Sequence, residues 1–265
     1  MRLRVSHKRP YKNYKGYVMS KKVAFVTGGM GGIGTAICQR LFKDGFIVVA
    51  GCGPDSAIRS EWLKKQKKAG FNFIACEGNV AEWDSTVKAF EKVKKDVGPI
   101  DVLVNNAGTA CNVLFRDMDP GDWQTVIDTN LNSLFNVTKQ VIDDMTARGW
   151  GRVINISSVN AQLGHVGQVN YATAKSSIRG FTRALAREVA ARGVTVNTVS
   201  PGYIATARLK AITENDRMDK VIQDIPVKRL GTPEEVASMC SWLASEESAF
   251  ATGADFAING GLHMS

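Results

Sequence analysis

Two spacings of apolar residues alternate along this chain. Short stretches that are apolar almost throughout, KKVAFVT (21–27), FIVVAG (46–51), FNFIAC (71–76), IDVLVNNAG (100–108), RVINIS (152–157), VTVNTVSP (194–201) and ADFAING (254–260), read as strands buried on both faces. Between them come TAICQRLFKDG, SAIRSEWLKKQKKAG, DSTVKAFEKVKKDVG, DWQTVIDTNLNSLFNVTKQVIDDMTARG, NYATAKSSIRGFTRALAREVA and PEEVASMCSWLAS, where apolar positions recur at helical spacing. Strict strand–helix alternation predicts an α/β fold: a single-domain, Rossmann-like, doubly wound parallel sheet of about seven strands with helices on both faces. No repeat, second core or low-complexity tract interrupts it, so one domain is expected over 19–265. The polar stretch 206–225, with scattered apolar anchors, reads as a mobile helical flap.

The first strand runs directly into Gly28-Gly29-Met30-Gly31-Gly32-Ile33-Gly34 and then a helix. Strand, glycine-rich turn and helix in that order place backbone N–H groups and a helix N-terminus against a phosphate, so a bound nucleotide is expected here. The end of the second strand decides which one. An acidic residue there would hold both ribose hydroxyls and repel a 2′-phosphate. The chain instead has Gly51-Cys52-Gly53-Pro54, with Ser56 and Arg59 beyond and Arg40 on the first helix, which favours NADPH; Asp55 is the dissenting charge. Asn79-Val80 after the third strand suits an adenine edge, and Asn106-Ala107-Gly108 after the fourth lets a flat cofactor lie against backbone.

A phenol at Tyr171 and an ammonium at Lys175 stand four apart in a helical segment and therefore share a face. A cation favours the phenolate and lowers a pKa that is otherwise about 10, which suits the pair to acid/base work. Ser158, just past a buried strand, is positioned to bring a hydroxyl to the same place. Asn130, mildly unfavourable inside a helix, either caps, faces water, or reaches inward to a water.

Composition narrows the field further. A 265-residue chain with 44% hydrophobic and 22% charged residues is ordinary for a soluble protein. No apolar run approaches the roughly 20 residues of a membrane span, and no secretory signal is visible, so a cytoplasmic location is expected. Residues 1–18 hold six Lys/Arg and no acid, which leaves +3 of the net +9 for the rest and removes the case for a nucleic-acid partner. That basic leader reads as an upstream translation start, a disordered arm or a transit peptide, outside the fold. Five widely spaced cysteines read as reduced, mostly buried thiols rather than a metal or disulfide set, and no metal site is expected.

TGGMGGIG, NNAG, Asn130, Ser158, Tyr171-x-x-x-Lys175 and Pro201-Gly202, in this order and spacing, make the chain resemble the short-chain dehydrogenase/reductase family over residues 21–261. AGCGP, RGWGRVINISSVN, QVNYATAK and SEESAFATGADFAINGGLHM are most similar to members of polyhydroxyalkanoate, including polyhydroxybutyrate, synthesis. The resemblance implies a homotetramer that reduces an acyl-CoA thioester, acetoacetyl-CoA, to (R)-3-hydroxybutanoyl-CoA with NADPH, hydride leaving the pro-S face. It also implies roles: Tyr171 as proton donor, Ser158 as hydrogen-bond donor to the carbonyl oxygen, Lys175 on the nicotinamide ribose, and Asn130 holding a water. The nucleotide would be held by Gly28, Met30, Gly32, Ile33, Gly34, Arg40, Gly53, Ser56, Arg59, Asn79, Val80, Asn106, Ala107, Gly108, Tyr171, Lys175, Pro201, Gly202 and Ile204. Gln168 and Tyr203 would join Ser158 and Tyr171 on the substrate. His165 reads as substrate wall or surface.

Three departures from the family pattern stand out: Met30 where many NADPH-preferring members carry Arg or Lys, Asn79 for the usual Asp, and Ile204-Ala205-Thr206-Ala207 for I-x-T-D, which puts flap anchoring in doubt. Two rival functions stay open. One is reduction of 3-oxoacyl chains on an acidic acyl carrier protein docked by Arg148 and Arg192; the other is a nucleotide-binding protein without turnover.

Overall fold

A computed structural model of the chain describes residues 21–54, 58–207, 209 and 215–264. The expectations for the 1–18 leader and for Asp55 and Ser56 lie outside the described residues. Seven parallel strands, β1 Val23–Val26, β2 Ile47–Cys52, β3 Ile74–Glu77, β4 Val102–Asn105, β5 Gly151–Ile156, β6 Val194–Pro201 and β7 Asp255–Ile258, stand in the order β3-β2-β1-β4-β5-β6-β7. The helices are α1 Gly32–Lys43, α2 Arg59–Lys68, α3 Trp83–Asp96, α4 Pro120–Ile127, α5 Ser133–Arg148, α6 Asn160–Leu163, α7 Val169–Val189, α8 Asn215–Asp224 and α9 Pro233–Ala244.

Because strand side chains alternate between faces, each strand feeds two cores. Ala24, Val26, Val48, Ala50, Val102, Val104 and Ile154 pack with Ile37, Leu41, Val236 and Leu243 from α1 and α9. Phe25, Val49, Leu103 and Val153 face the other way, onto Phe90, Val93, Val137, Val141, Met145 and Val189 from α3, α5 and α7. Strands buried on both sides need nearly continuous apolar sequence, which is what the short runs supply.

Two expected elements come out differently. FNFIAC joins the sheet only from Ile74, because Phe71 and Phe73 stack on each other at 5.6 Å and pack edge-on against Phe42, leaving the ladder to cover the end of α1. The long helical region begins two residues earlier than DWQ, at Pro120, where Asp119 and Asp122 form a reciprocal capping box. It is also interrupted at Asp128–Asn132 by a turn of π-helix. Such an inserted residue re-aims side chains and concentrates at functional positions. Asn130 sits in it, fully buried.

Chain order reverses between β1 and β4, so the loops after these neighbouring strands diverge and open a crevice at the carboxyl edge of the sheet.

Candidate active site

At that edge two hollows, of about 530 Å³ and 270 Å³, share Gly28, Ala107 and Gly108 in their walls and so form one trough across β1 and β4. The glycine turn makes the floor. Gly28 has φ +60°, and a Cβ there would stand 3.0 Å from the Ala107 Cα. Gly34, in the first turn of α1, packs so closely on the turn that a Cβ would collide with the Gly28 carbonyl and lie 2.9 Å from the Gly29 Cα. Gly34→Ala is therefore expected to destabilise the fold by roughly 1–3 kcal/mol, in the range of an overpacked core, read as a lower urea midpoint at unchanged slope. A wild-type midpoint would contradict this packing.

No side chain caps α1, whose first residues Gly32, Ile33 and Gly34 line the larger hollow. Open N–H groups and a helix N-terminus are what a diphosphate needs. Asn106 holds the cradle shut from the β4 side, its Nδ2 donating to the Thr27 and Gly28 carbonyls at 2.9 and 3.1 Å. Gly53 and Val80 line the smaller hollow, as does Asn79, whose amide is spent locally on Ala81 N–H and Glu82.

Two side chains expected at the nucleotide stand turned away from the trough. Arg40 lies in the last turn of α1, roughly 12 Å along the axis from Gly32, where it binds Asp44 and Ser238 at the far edge of the sheet. Met30 turns its side chain into the core, 9% exposed, leaving only its backbone in the turn. Arg59 stands near the smaller hollow: it pairs with Glu77 at the tip of β3, and the Cys52 thiol, which lines that hollow, feels both charges.

The larger hollow gathers Asn130, Ser158, Tyr171, Lys175, Gln168, Pro201, Gly202, Tyr203 and Ile204. Tyr171 and Lys175 share a face of α7, with the ammonium 5.9 Å from the phenol ring centre. Lys175 is 4% exposed and donates to the Ile156 carbonyl at 2.8 Å; loss of hydration pushes its pKa down to about 8. Asn130 Nδ2 donates to the Thr109 and Val126 carbonyls, while its buried Oδ1 has no protein donor among the described residues. A methyl at Gly108 would come within 2.7 Å of that oxygen and 3.5 Å of Lys175 Nζ, so amide and ammonium flank one small space. Ser158 Oγ accepts from Asn160 N–H at 3.2 Å. A hydroxyl has one proton to give, and this bond leaves it free to point into the cleft.

The region after β6 is anchored by backbone despite its departure from I-x-T-D. Ile204 bridges to Gly231, Ala205 N–H donates to Gly231 O at 2.8 Å, and the Thr206 methyl rests over Gly32. Tyr203 is half-buried, its phenol pushed up by burial and by the Asp224 carboxylate at the end of α8. His165 is exposed. Arg148 binds Asp101 and the Ile100 carbonyl, and Arg192 ends a short turn before β6; both stand at the amino edge of the sheet, opposite the cleft.

Sequence reasoning missed a buried polar relay under the site. Asn105 donates to Asn155 and Thr138, Asn155 to Thr182, and Thr182 meets Thr198, at 2.8–3.1 Å. It ties β4, β5 and β6 to α5 and α7. An Asn within otherwise apolar strands, VLVN and VINI, was the available signal.

Comparison with known proteins gives the same direction. The short chain dehydrogenase family matches residues 22–217. The chain is 68% identical to an acetoacetyl-CoA reductase from Cupriavidus necator over 93% of its own length and 100% of the relative. It is 51% identical to nodulation protein G from Azospirillum brasilense, over 92% and 99%. A solved structure from Agrobacterium tumefaciens, provisionally assigned as a gluconate dehydrogenase, superposes with a TM-score of 0.87 at 29% identity, covering 92% of this chain and 97% of that one.

Proposed function

Because the chain belongs to the short chain dehydrogenase family, and is thereby an oxidoreductase of a family that uses a nicotinamide cofactor, we propose that it reduces acetoacetyl-CoA to 3-hydroxybutanoyl-CoA with NADPH. The observation that carries this reading is the convergence of Tyr171, Lys175, Ser158 and Asn130 on one cleft floored by the glycine turn. The reductant supplies hydride when bound. Its diphosphate fits the open N-terminus of α1, and its flat ring system fits against Ala107 and Gly108.

In this reading the chain's own groups handle the proton and the charge. Ser158 Oγ–H and Tyr171 O–H both donate to the ketone oxygen, where negative charge develops, and Tyr171 yields its proton. Lys175 favours the phenolate left behind and reaches the nicotinamide ribose. Asn130 Oδ1, buried with an unfilled acceptor, holds a water that links Lys175 to solvent. Tyr203 closes the thioester end under α8.

NADPH over NADH is supported by Gly51-Cys52-Gly53, which supplies no carboxylate of its own at the end of β2, and by Arg59 nearby, although its charge is shared with Glu77 of β3. A CoA thioester over a carrier-linked one is supported by the 68% identical relative and by the positions of Arg148 and Arg192, which cannot bring a carrier to the cleft from the opposite edge. Exposed rings, among them Trp83 stacked on Phe135 at 5.6 Å and Phe250, support assembly into a homotetramer. No described helix is long and apolar enough to cross a membrane. The proposed setting is cytoplasmic polyhydroxybutyrate synthesis.

Steady-state kinetics test the reading. With acetoacetyl-CoA, kcat/KM is expected to be at least about tenfold higher with NADPH than with NADH, one charge-assisted contact being worth roughly that factor. A strong preference for the carrier-linked substrate would overturn the first choice, and no NADPH oxidation with any 3-oxoacyl thioester would leave a binding protein.

A further inference from the structure

Gln168 stands at the N-cap of α7, one turn before Tyr171, yet its side chain caps nothing. Ser, Thr, Asn or Asp would serve that position better, so a glutamine here answers another requirement. Its two amide ends show which. Nε2 donates to Asn112 Oδ1 at 3.0 Å, and Oε1 accepts from Asn160 Nδ2 at 2.9 Å. Asn112 belongs to the loop after β4. Asn160 opens α6, and its backbone N–H is the donor that orients Ser158.

We infer that Gln168 is a positioning residue: the bridge Asn112–Gln168–Asn160 holds the Ser158 segment at a fixed distance from the β4 loop and so aims the Ser158 proton at the reacting oxygen. The Gln168 carbonyl and one N–H are engaged in this bridge, which leaves one N–H of the amide toward the cleft it lines. Neighbouring bonds are expected to keep the cleft together when the bridge is removed. Val113 N–H donates to the Gly167 carbonyl at 2.9 Å, and Asn170 Nδ2 donates to Cys111 O at 3.2 Å. These hold the β4 loop on the start of α7. Gln168 alone of this set extends the contact to the Ser158 segment.

The inference rests on the ketoreductase reading and is tested by a double-mutant cycle with a second readout that needs no turnover. Gln168→Met keeps length and removes both hydrogen bonds. With NADPH and acetoacetyl-CoA it is expected to lower kcat about tenfold, the worth of one oriented hydrogen bond in the transition state, with KM changed less than about threefold. In a Ser158→Ala background the same substitution should cost less than about twofold, since the group it positions is gone. Gln168→Glu, which still accepts from Asn160 but cannot donate to Asn112, should fall between wild type and Gln168→Met. By hydrogen exchange, amides of 158–163 should exchange faster in Gln168→Met while those of β6 keep their wild-type rates. A loss confined to KM, or an undiminished loss in the Ser158→Ala background, would make Gln168 a substrate ligand and overturn the inference. Unchanged exchange at 158–163 would overturn it whatever the substrate, whereas absent wild-type turnover would fall on the ketoreductase reading alone.

Discussion

Tyr171→Phe is expected to lower kcat on acetoacetyl-CoA by roughly 10²–10⁴-fold, the usual worth of general acid catalysis, while NADPH still binds within about threefold of its wild-type affinity. The substitution deletes one oxygen and leaves the backbone bonds at the start of α7 untouched. Tyr171 N–H is fixed by Asn170 Oδ1 at 2.7 Å, and Asn170 is tied in turn to the Cys111 and Asp122 carbonyls. The helix start that carries the ring therefore keeps its place, and the change in rate is expected to report the proton. Ser158 would still stabilise the developing oxyanion, so a residual rate is expected rather than none. Single-turnover NADPH oxidation, with fluorescence titration of NADPH alone, separates chemistry from binding. More than about a tenth of normal turnover would assign the proton to another group.

The parts of this site legible in the sequence are those that local spacing dictates. Gly28 to Gly34 between a strand and a helix can hardly do anything but form the open turn that is found, and a four-residue interval puts Tyr171 and Lys175 on one side of α7. What lay beyond reach depends on contacts between distant segments. Gln168 bonds Asn112 from 56 residues away, and nothing in the composition of either loop announces it. Asn105, Asn155, Thr182 and Thr198 are scattered over four elements and meet only when the sheet is assembled. Met30 was ambiguous for a related reason: a turn's sequence shows that the chain bends but not which side chain folds inward. Arg40 was different. Its place eight residues after Gly32 already put it at the wrong end of a helix, since charge counts toward a phosphate only if the helix delivers it there. Likewise Arg148 follows a full helix leading away from the cleft, which puts it at the amino edge.

Lys175→Met is expected to abolish turnover and, at the same time, to change how stability depends on pH. Burial holds the Lys175 pKa at about 8 in the folded chain, against about 10.4 when unfolded. Below pH 8 the residue is charged in both states, and the folded protein bears the full cost of an ammonium removed from water. Between about pH 8 and 10.4 the unfolded chain binds more protons than the folded one, so stability from this group rises with pH across that window. The variant has no such term. Its stability advantage relative to wild type should therefore shrink by on the order of 3 kcal/mol between pH 8 and 10.4, about 1.36 kcal/mol per pKa unit. That difference is independent of the bond to Ile156 O, which the variant lacks at every pH. Urea unfolding of both proteins at pH 7, 8, 9 and 10 measures it. The same titration governs activity in the opposite sense, because the ammonium is what favours the Tyr171 phenolate. In wild type, kcat/KM for NADPH, which reports the free enzyme, should fall as pH rises through about 8. Parallel stability curves for the two proteins would show that Lys175 titrates as an ordinary lysine; a kcat/KM flat from pH 7 to 10 would show that its charge has no part in the reaction.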